Sequence, residues 1–161
     1  MATPALAEEV RIAPGTADQL DSVMEVMDAA FGDQFGEAWT RSQLSGILPM
    51  AGVFLILAED RASDSVVGFS LSRTVADEAE LLLIAVLPDE QRRGVGALLL
   101  DDFLDRAREK GASRVHLEVR DGNPAIGMYR TAGFSPVGRR RNYYHARSGK
   151  RYDAITLAYE L

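Results

Sequence analysis

The chain has 161 residues, no cysteine, two histidines and a formal net charge of −6, with 47% hydrophobic and 26% charged residues. That length and balance suit one compact domain, 1–161, burying roughly 70% of the surface its unfolded chain exposes. Lack of cysteine excludes disulfides and thiol nucleophiles and, with only His116 and His145 as nitrogen ligands, no metal site is expected. The acidic balance argues against a general nucleic-acid binder.

Met1 to Glu9 has two acids, no base and no apolar stretch of signal-peptide length, so residues 1–8 read as a flexible tail. Val10 to Ala13 reads as a first strand ended by Pro14-Gly15, and Thr16 with Gln19 has capping-box spacing. A helix to about Phe31 follows, with Leu20, Val23, Met24, Met27 and Phe31 on one stripe. Gly32 to Trp39 is a loop rich in glycine and aromatic residues, after which Thr40 and Gln43 repeat the capping-box spacing ahead of a short helix closed by Pro49.

Val53 to Glu59, Val66 to Arg73 and Glu80 to Leu87 predict three strands in an antiparallel meander. The apolar run Leu81 to Leu87 within them is far short of the roughly 20 residues that span a bilayer, so no membrane association is expected and the cytoplasm is the default compartment. A helix from Gly94 to Lys110 presents Val95, Leu99, Phe103 and Ala107 at helical spacing and stops at Gly111. Arg114 to Arg120 is a strand, Asn123-Pro124 caps a short helix to Ala132, and Ser135 to Tyr144 and Tyr152 to Glu160 are two more strands. The order predicts a mixed α/β (α+β) sandwich rather than a doubly wound sheet, since helices do not alternate with every strand.

The turn Gln91-Arg92-Arg93-Gly94-Val95-Gly96-Ala97 lies between a strand and a helix. There, small residues let backbone amides approach an anion and the helix N-terminus adds a favourable dipole, a geometry suited to pyrophosphate. Arg92 and Arg93 place two cations beside it. A tight turn ahead of a buried helix accounts for the same residues. Two rival phosphate motifs fail: Leu99 stands where the third glycine of GxGxxG is required, and no Gly-Lys-Ser/Thr follows.

This turn resembles the Gln/Arg-x-x-Gly-x-Gly/Ala signature of the GNAT superfamily of N-acetyltransferases. Ile84-Ala85-Val86 before it, then Leu117-Glu118-Val119-Arg120, Met128-Tyr129, Gly133-Phe134 and Asn142-Tyr143-Tyr144, continue the likeness in order. The later set is similar to the RimI subgroup, bacterial enzymes that acetylate the N-terminal alanine of a small-subunit ribosomal protein. The resemblance implies a central mixed, mostly antiparallel sheet of six to seven strands flanked by about four helices, acetyl-coenzyme A as co-substrate, and a protein N-terminus as acceptor. It further implies a monomer or weak dimer without nucleic-acid partners.

In that family the strand before the cradle carries a bulge that exposes backbone groups to the pantetheine arm and acetyl carbonyl, a part that falls to Ile84, Ala85 and Val86. The side chains of those three also read as core. Strand alternation sends Val115, Leu117 and Val119 to one face and His116, Glu118 and Arg120 to the other. Glu118 is then either the general base, as the resemblance implies, or an acid paired with Arg120. Tyr129 is either the general acid or a core tyrosine. Asn123 is a helix cap by local rules and a cofactor contact by resemblance, although it stands six positions before Tyr129 where the family has seven.

Arg139, Arg140 and Arg141 read as a solvated face or as part of a peptide cleft lined by Tyr143 and Tyr144, and Phe35 to Trp39 as groove or packing. His145 is expected in a loop. Acceptance of a small-molecule amine or lysine, a non-catalytic acyl-coenzyme A sensor, and a pure interaction module are the competing functions.

Overall fold

The computed structural model describes residues 4–161. Seven strands form one sheet in the order β1-β2-β3-β4-β5-β7-β6. They are β1 Val10–Pro14, β2 Val53–Asp60, β3 Val66–Val75, β4 Glu78–Val86, β5 Arg114–Arg120, β6 Ser135–His145 and β7 Arg151–Glu160. Helices α2 (Leu20–Phe31) and α3 (Arg41–Ile47) cover one face, and α1 (Pro4–Glu9), α4 (Val95–Glu109) and α5 (Ile126–Ala132) the other. The meander β2-β3-β4 is antiparallel as predicted, and β4 with β5 is parallel.

Residues 4–9 correct the sequence reading. They form α1 rather than a tail, because Leu6 buries itself among Val10, Ile56, Ala58, Val67, Val95 and Leu99 and so offsets the ordering entropy of that turn. Met1 to Thr3 lie outside the described residues. Both predicted capping boxes form. Gln19 Oε1 accepts the Thr16 amide at 2.6 Å and Gln43 Oε1 the Thr40 amide at 2.8 Å, although the first box opens a single 3₁₀ turn ahead of α2. Val23 and Met27 of the predicted α2 stripe are fully buried, joined by Val26, while Leu20, Met24 and Phe31 pack at its margin.

Two bulges decide which side chains reach which core. Leu71 pairs with Leu83 while Ser72 pairs with Leu81, so Leu82 is an extra residue in β4. Because strand side chains alternate with period two, one inserted residue reverses the faces. Ala79 and Leu81 therefore lie under Leu100, Phe103 and Leu104 of α4, whereas Leu83 and Ala85 lie under α2 and α3 with Phe69 and Leu71. In β3 the extra residue is Val67, between the pairs Ala58↔Gly68 and Glu59↔Val66. Val67 accordingly joins the α4 side while Phe69 faces α2.

Pairing of β4 with β5 covers only Glu78–Leu81 against Arg114–Leu117. The last paired residue of β4 is thus the one just before the bulge. A bulge bends its strand and increases its twist. Beyond it β4 keeps its ladder with β3 alone, and the two strands diverge.

Close packing of α4 on the sheet depends on Gly68. A Cβ built there would stand 2.9 Å from the Ala85 carbonyl oxygen and 3.3 Å from Leu99 and Val95 side-chain atoms. Gly68→Ala should therefore destabilise the fold by about 1–3 kcal/mol, the usual cost of overpacking, and chemical denaturation of the variant would show it as a lowered midpoint at unchanged m-value.

Candidate active site

At the C-terminal end of β4 the chain makes a 3₁₀ turn, Pro88–Glu90, and enters α4 through Gly94 in the left-handed region at φ 93°. That conformation is open to glycine without a Cβ penalty. Leu98 donates to the Gly94 carbonyl at 2.9 Å, so the amides of Val95, Gly96 and Ala97 emerge from the helix end without intrahelical acceptors. Gly96 faces the Met128 sulfur, which a Cβ would approach to 3.3 Å. Arg92 also takes a positive φ of 70°, which aims this backbone turn outward.

Side chains of the turn are less available than its backbone. Gln91 folds back and donates from Nε2 to the Val86 carbonyl at 3.1 Å. Arg93 is ion-paired with Glu90 and with Glu9 at the end of α1, so of the two cations beside the turn this one is already engaged. Ile84 and Val86 turn their side chains toward α4 and Ala85 toward α2, so the side chains of these three belong to the core.

Glu118 sits on the stretch of β5 that has parted from β4. Its side chain is 12% exposed, with Oε1 3.0 Å from Arg140 Nε and Oε2 accepting the Thr156 hydroxyl at 2.7 Å. The sequence reading offered Arg120 as its partner, and the structure replaces it with Arg140. Alternation places both residues on one face, but β6 reaches across β7 to Glu118 while Arg120 is drawn to the loop before α3. There Arg120 Nε stands 3.4 Å from Glu37 Oε1, and its guanidinium lies 3.6 Å from the Phe35 ring centroid.

Tyr129 of α5 is 4% exposed and meets Phe134 edge-on at 5.8 Å. Burial pushes its phenol well above the usual range, and the neighbouring Tyr144 and Glu37 push the same way. The Tyr144 hydroxyl donates to the Glu118 carbonyl at 3.3 Å, and this phenol too is raised, mainly by burial, then by Tyr143, Glu37 and Glu118. Tyr129, Tyr144, Glu37 and Glu118 therefore share one electrostatic neighbourhood.

Tyr144 reaches this place through an irregularity in β6. Arg140 pairs with Ala154 and Tyr144 with Tyr152, leaving two more residues on β6 than on β7 between these pairs. Asn142 takes φ 53° there and its amide donates to Asp153 Oδ1 at 2.9 Å. Tyr144 is half-buried and Tyr143 is exposed. His145 ends β6 opposite Arg151 rather than lying in a loop, since the strand resumes after the irregularity.

Asn123 departs from the helix-cap reading by two residues. Ala125 is the residue before α5, and Asn123 closes the preceding turn, its Oδ1 accepting the Ala125 amide at 2.8 Å and its carbonyl the Ile126 amide at 3.1 Å. Its Nδ2 donates to Glu37 Oε2 at 2.9 Å. Sequence reasoning missed Glu37, Thr156 and Arg140 as site residues. The acid between Phe35 and Trp39 was visible, but its partners lie over 80 positions away.

Residues 20–134 match the family described as Acetyltransferase (GNAT) family. Over 96 residues the chain is 42% identical to the [ribosomal protein bS18]-alanine N-acetyltransferase of Haemophilus influenzae, covering 60% of this chain and 66% of that protein. Over 91 residues it is 44% identical to the protein so named in Escherichia coli (strain K12), covering 56% of this chain and 61% of that one. The chain thus spans less than two thirds of the length of these curated relatives. The solved ribosomal-protein-S18-alanine N-acetyltransferase from Escherichia coli superposes with a TM-score of 0.83 at 29% identity, covering 94% of this chain and 93% of that one.

Both buried phenols are harder to ionise in the folded chain than in the unfolded one. Their contribution to stability is complete below about pH 10 and declines as pH rises above it, because the unfolded state then loses protons that the folded state keeps. In a spectrophotometric titration of the five tyrosines, Tyr129 and Tyr144 should ionise last, and Tyr129→Phe should remove one late-titrating phenol.

Proposed function

The chain belongs to the acetyltransferase (GNAT) family, and on that footing we propose that it transfers the acetyl group of acetyl-coenzyme A to the N-terminal α-amine of a protein. The alanine of a small-subunit ribosomal protein, the acceptor in the names of its relatives, is the preferred substrate. The reading is carried by one observation: β4 and β5 part beside the free amides of α4, with Glu118 on the parted stretch.

The co-substrate fits these residues through the main chain. The pyrophosphate meets the amides of the Gln91–Ala97 turn, with the dipole of α4 behind them and no Cβ at Gly94 or Gly96 to hold it off. Backbone groups of Ile84, Ala85 and Val86 that point away from β3 are available to the pantetheine arm and the carbonyl. A donor aimed at the carbonyl oxygen stabilises the developing oxyanion, an effect worth about 3 kcal/mol. Asn123 is the weakest member of the set inferred from the sequence, since its amide is already engaged by Glu37 and Ala125.

Transfer then proceeds by direct attack, as a chain without cysteine has no acetyl-cysteine to form. Glu118 takes a proton from the incoming ammonium through water. Two of its roughly four acceptor positions are held by Arg140 and Thr156, which leaves others open. An α-ammonium has a pKa near 7.7–8.0, against about 10.4 for lysine, so a modest base suffices. The amine nitrogen bonds to the carbonyl carbon, the carbon–sulfur bond breaks, the Tyr129 phenol donates its proton to the departing sulfur, and the second proton that the nitrogen sheds on becoming an amide passes through water to restore the phenol. No helix among the described residues is long and apolar enough to cross a membrane.

Mass spectrometry of an Ala-initiated peptide and the same peptide blocked at its N-terminus checks the acceptor. Only the free peptide should gain an acetyl group; modification of the blocked one would move the reading to lysine, and binding of acetyl-coenzyme A without turnover would make the chain a sensor. Glu118→Gln should lower kcat at least about a hundredfold, within the range for loss of a general base, with the affinity for acetyl-coenzyme A unchanged by calorimetry.

A further inference from the structure

Apart from the groups assigned above, the deepest-set ion pair joins the loop before α3 to the end of β5. Glu37 and Arg120 are 11% and 9% exposed, with Nε and Oε1 3.4 Å apart. Glu37 Oε2 accepts from Asn123 Nδ2 at 2.9 Å, and Arg120 Nη1 donates to the Asp121 carbonyl at 3.3 Å. The Arg120 guanidinium is stacked on Phe35, which meets Tyr152 edge-on at 5.2 Å. Gly36, at φ 73°, lets the loop backbone lie against His145, where a Cβ would come within 2.2 Å of the carbonyl oxygen.

Stability alone does not account for such a pair. Desolvating two charges offsets most of their attraction, and well-packed apolar residues serve a fold equally well. What the pair does supply is a fixed geometry between elements, and the elements concerned carry the reacting groups. Arg120 follows Glu118 by two residues on β5 and shares its face. Asn123 closes the turn that launches α5, on which Tyr129 lies. One carboxylate therefore holds both the strand of the base and the start of the helix of the acid.

We propose that Glu37 is a positioning residue for acetyl transfer, fixing the turn between β5 and α5 through Arg120 and Asn123 and thereby setting Glu118 and Tyr129 on either side of the acceptor amine. It accounts for the shortened Asn123-to-Tyr129 spacing, in which the asparagine amide serves this loop. The inference rests on the base and acid roles given above.

A double-mutant cycle tests it. Glu37→Gln keeps the size of the side chain and removes the charge facing Arg120. It should lower kcat ten- to a hundredfold, the scale on which small misplacements act, and leave the KM for acetyl-coenzyme A within about twofold. In a background carrying both Glu118→Gln and Tyr129→Phe the same change should cost less than about twofold, because both groups it positions are gone. An equal loss in both backgrounds overturns the inference and leaves the acid role standing. Tyr129→Phe with unaltered turnover overturns the acid role instead. Should Glu37→Gln fail to fold, the paired change Glu37→Met with Arg120→Met leaves no lone buried charge. It should show the same fall in kcat, and wild-type turnover in that folded protein overturns the inference as well.

Discussion

Four residues of parallel pairing, Glu78–Leu81 against Arg114–Leu117, hold β4 to β5, and the chemistry of the molecule depends on their separating immediately afterwards. In a continued ladder, the backbone groups of Ile84 to Val86 on that side would be spent on β5. The extra residue at Leu82 prevents this. It bends β4 away and reverses its side chains, so that the diverging segment still buries Leu83 and Ala85 under α2 and Ile84 and Val86 under α4. The strand is thus well packed on both faces while one of its edges stays open.

Charge and polarity are concentrated where this opening meets the loop before α3 and the β6-β7 hairpin. Several polar groups there have protein partners that fix their direction: Glu118 through Thr156 and Arg140, Tyr144 through the Glu118 carbonyl, Glu37 through Asn123 and Arg120. A poorly solvated site strengthens these bonds and penalises any group left alone, which gives the arrangement its definition. The raised Tyr129 and Tyr144 phenols follow from the same burial.

Backbone irregularities do most of the aiming. The single extra residues Leu82 in β4 and Val67 in β3 each reverse the faces beyond them, whereas the two gained by β6 before Tyr144 shift its register and keep its face. The left-handed residues Arg92, Gly94 and Asn142 lie at two edges of the site, the first two where main-chain amides turn outward and the third two residues before Tyr144.

The strands and the main helices were legible in the sequence because period and capping are local. Val95, Leu99, Phe103 and Ala107 at helical spacing, Gly94 and Gly111 at the ends, and Thr16 with Gln19 are all short-range relations, and each appears in the fold. The family signature lay in the same class, since an anion cradle made of consecutive amides is written in consecutive residues. Leu6 was read as tail because its cover comes from Ile56, Val67 and Leu99, none of them near it in the chain. Glu118 was legible as a residue facing off the core, but its partner was assigned to the nearest arginine, whereas β7 inserted between β5 and β6 brings Arg140 and Thr156 to it. What the sequence alone determined was the family to which the chain belongs, through a turn written in consecutive residues. The tertiary structure alone decided how Glu118, Tyr129, Tyr144 and Glu37 come to share one site, because their relation depends on sheet order, bulges and contacts between residues far apart in the chain.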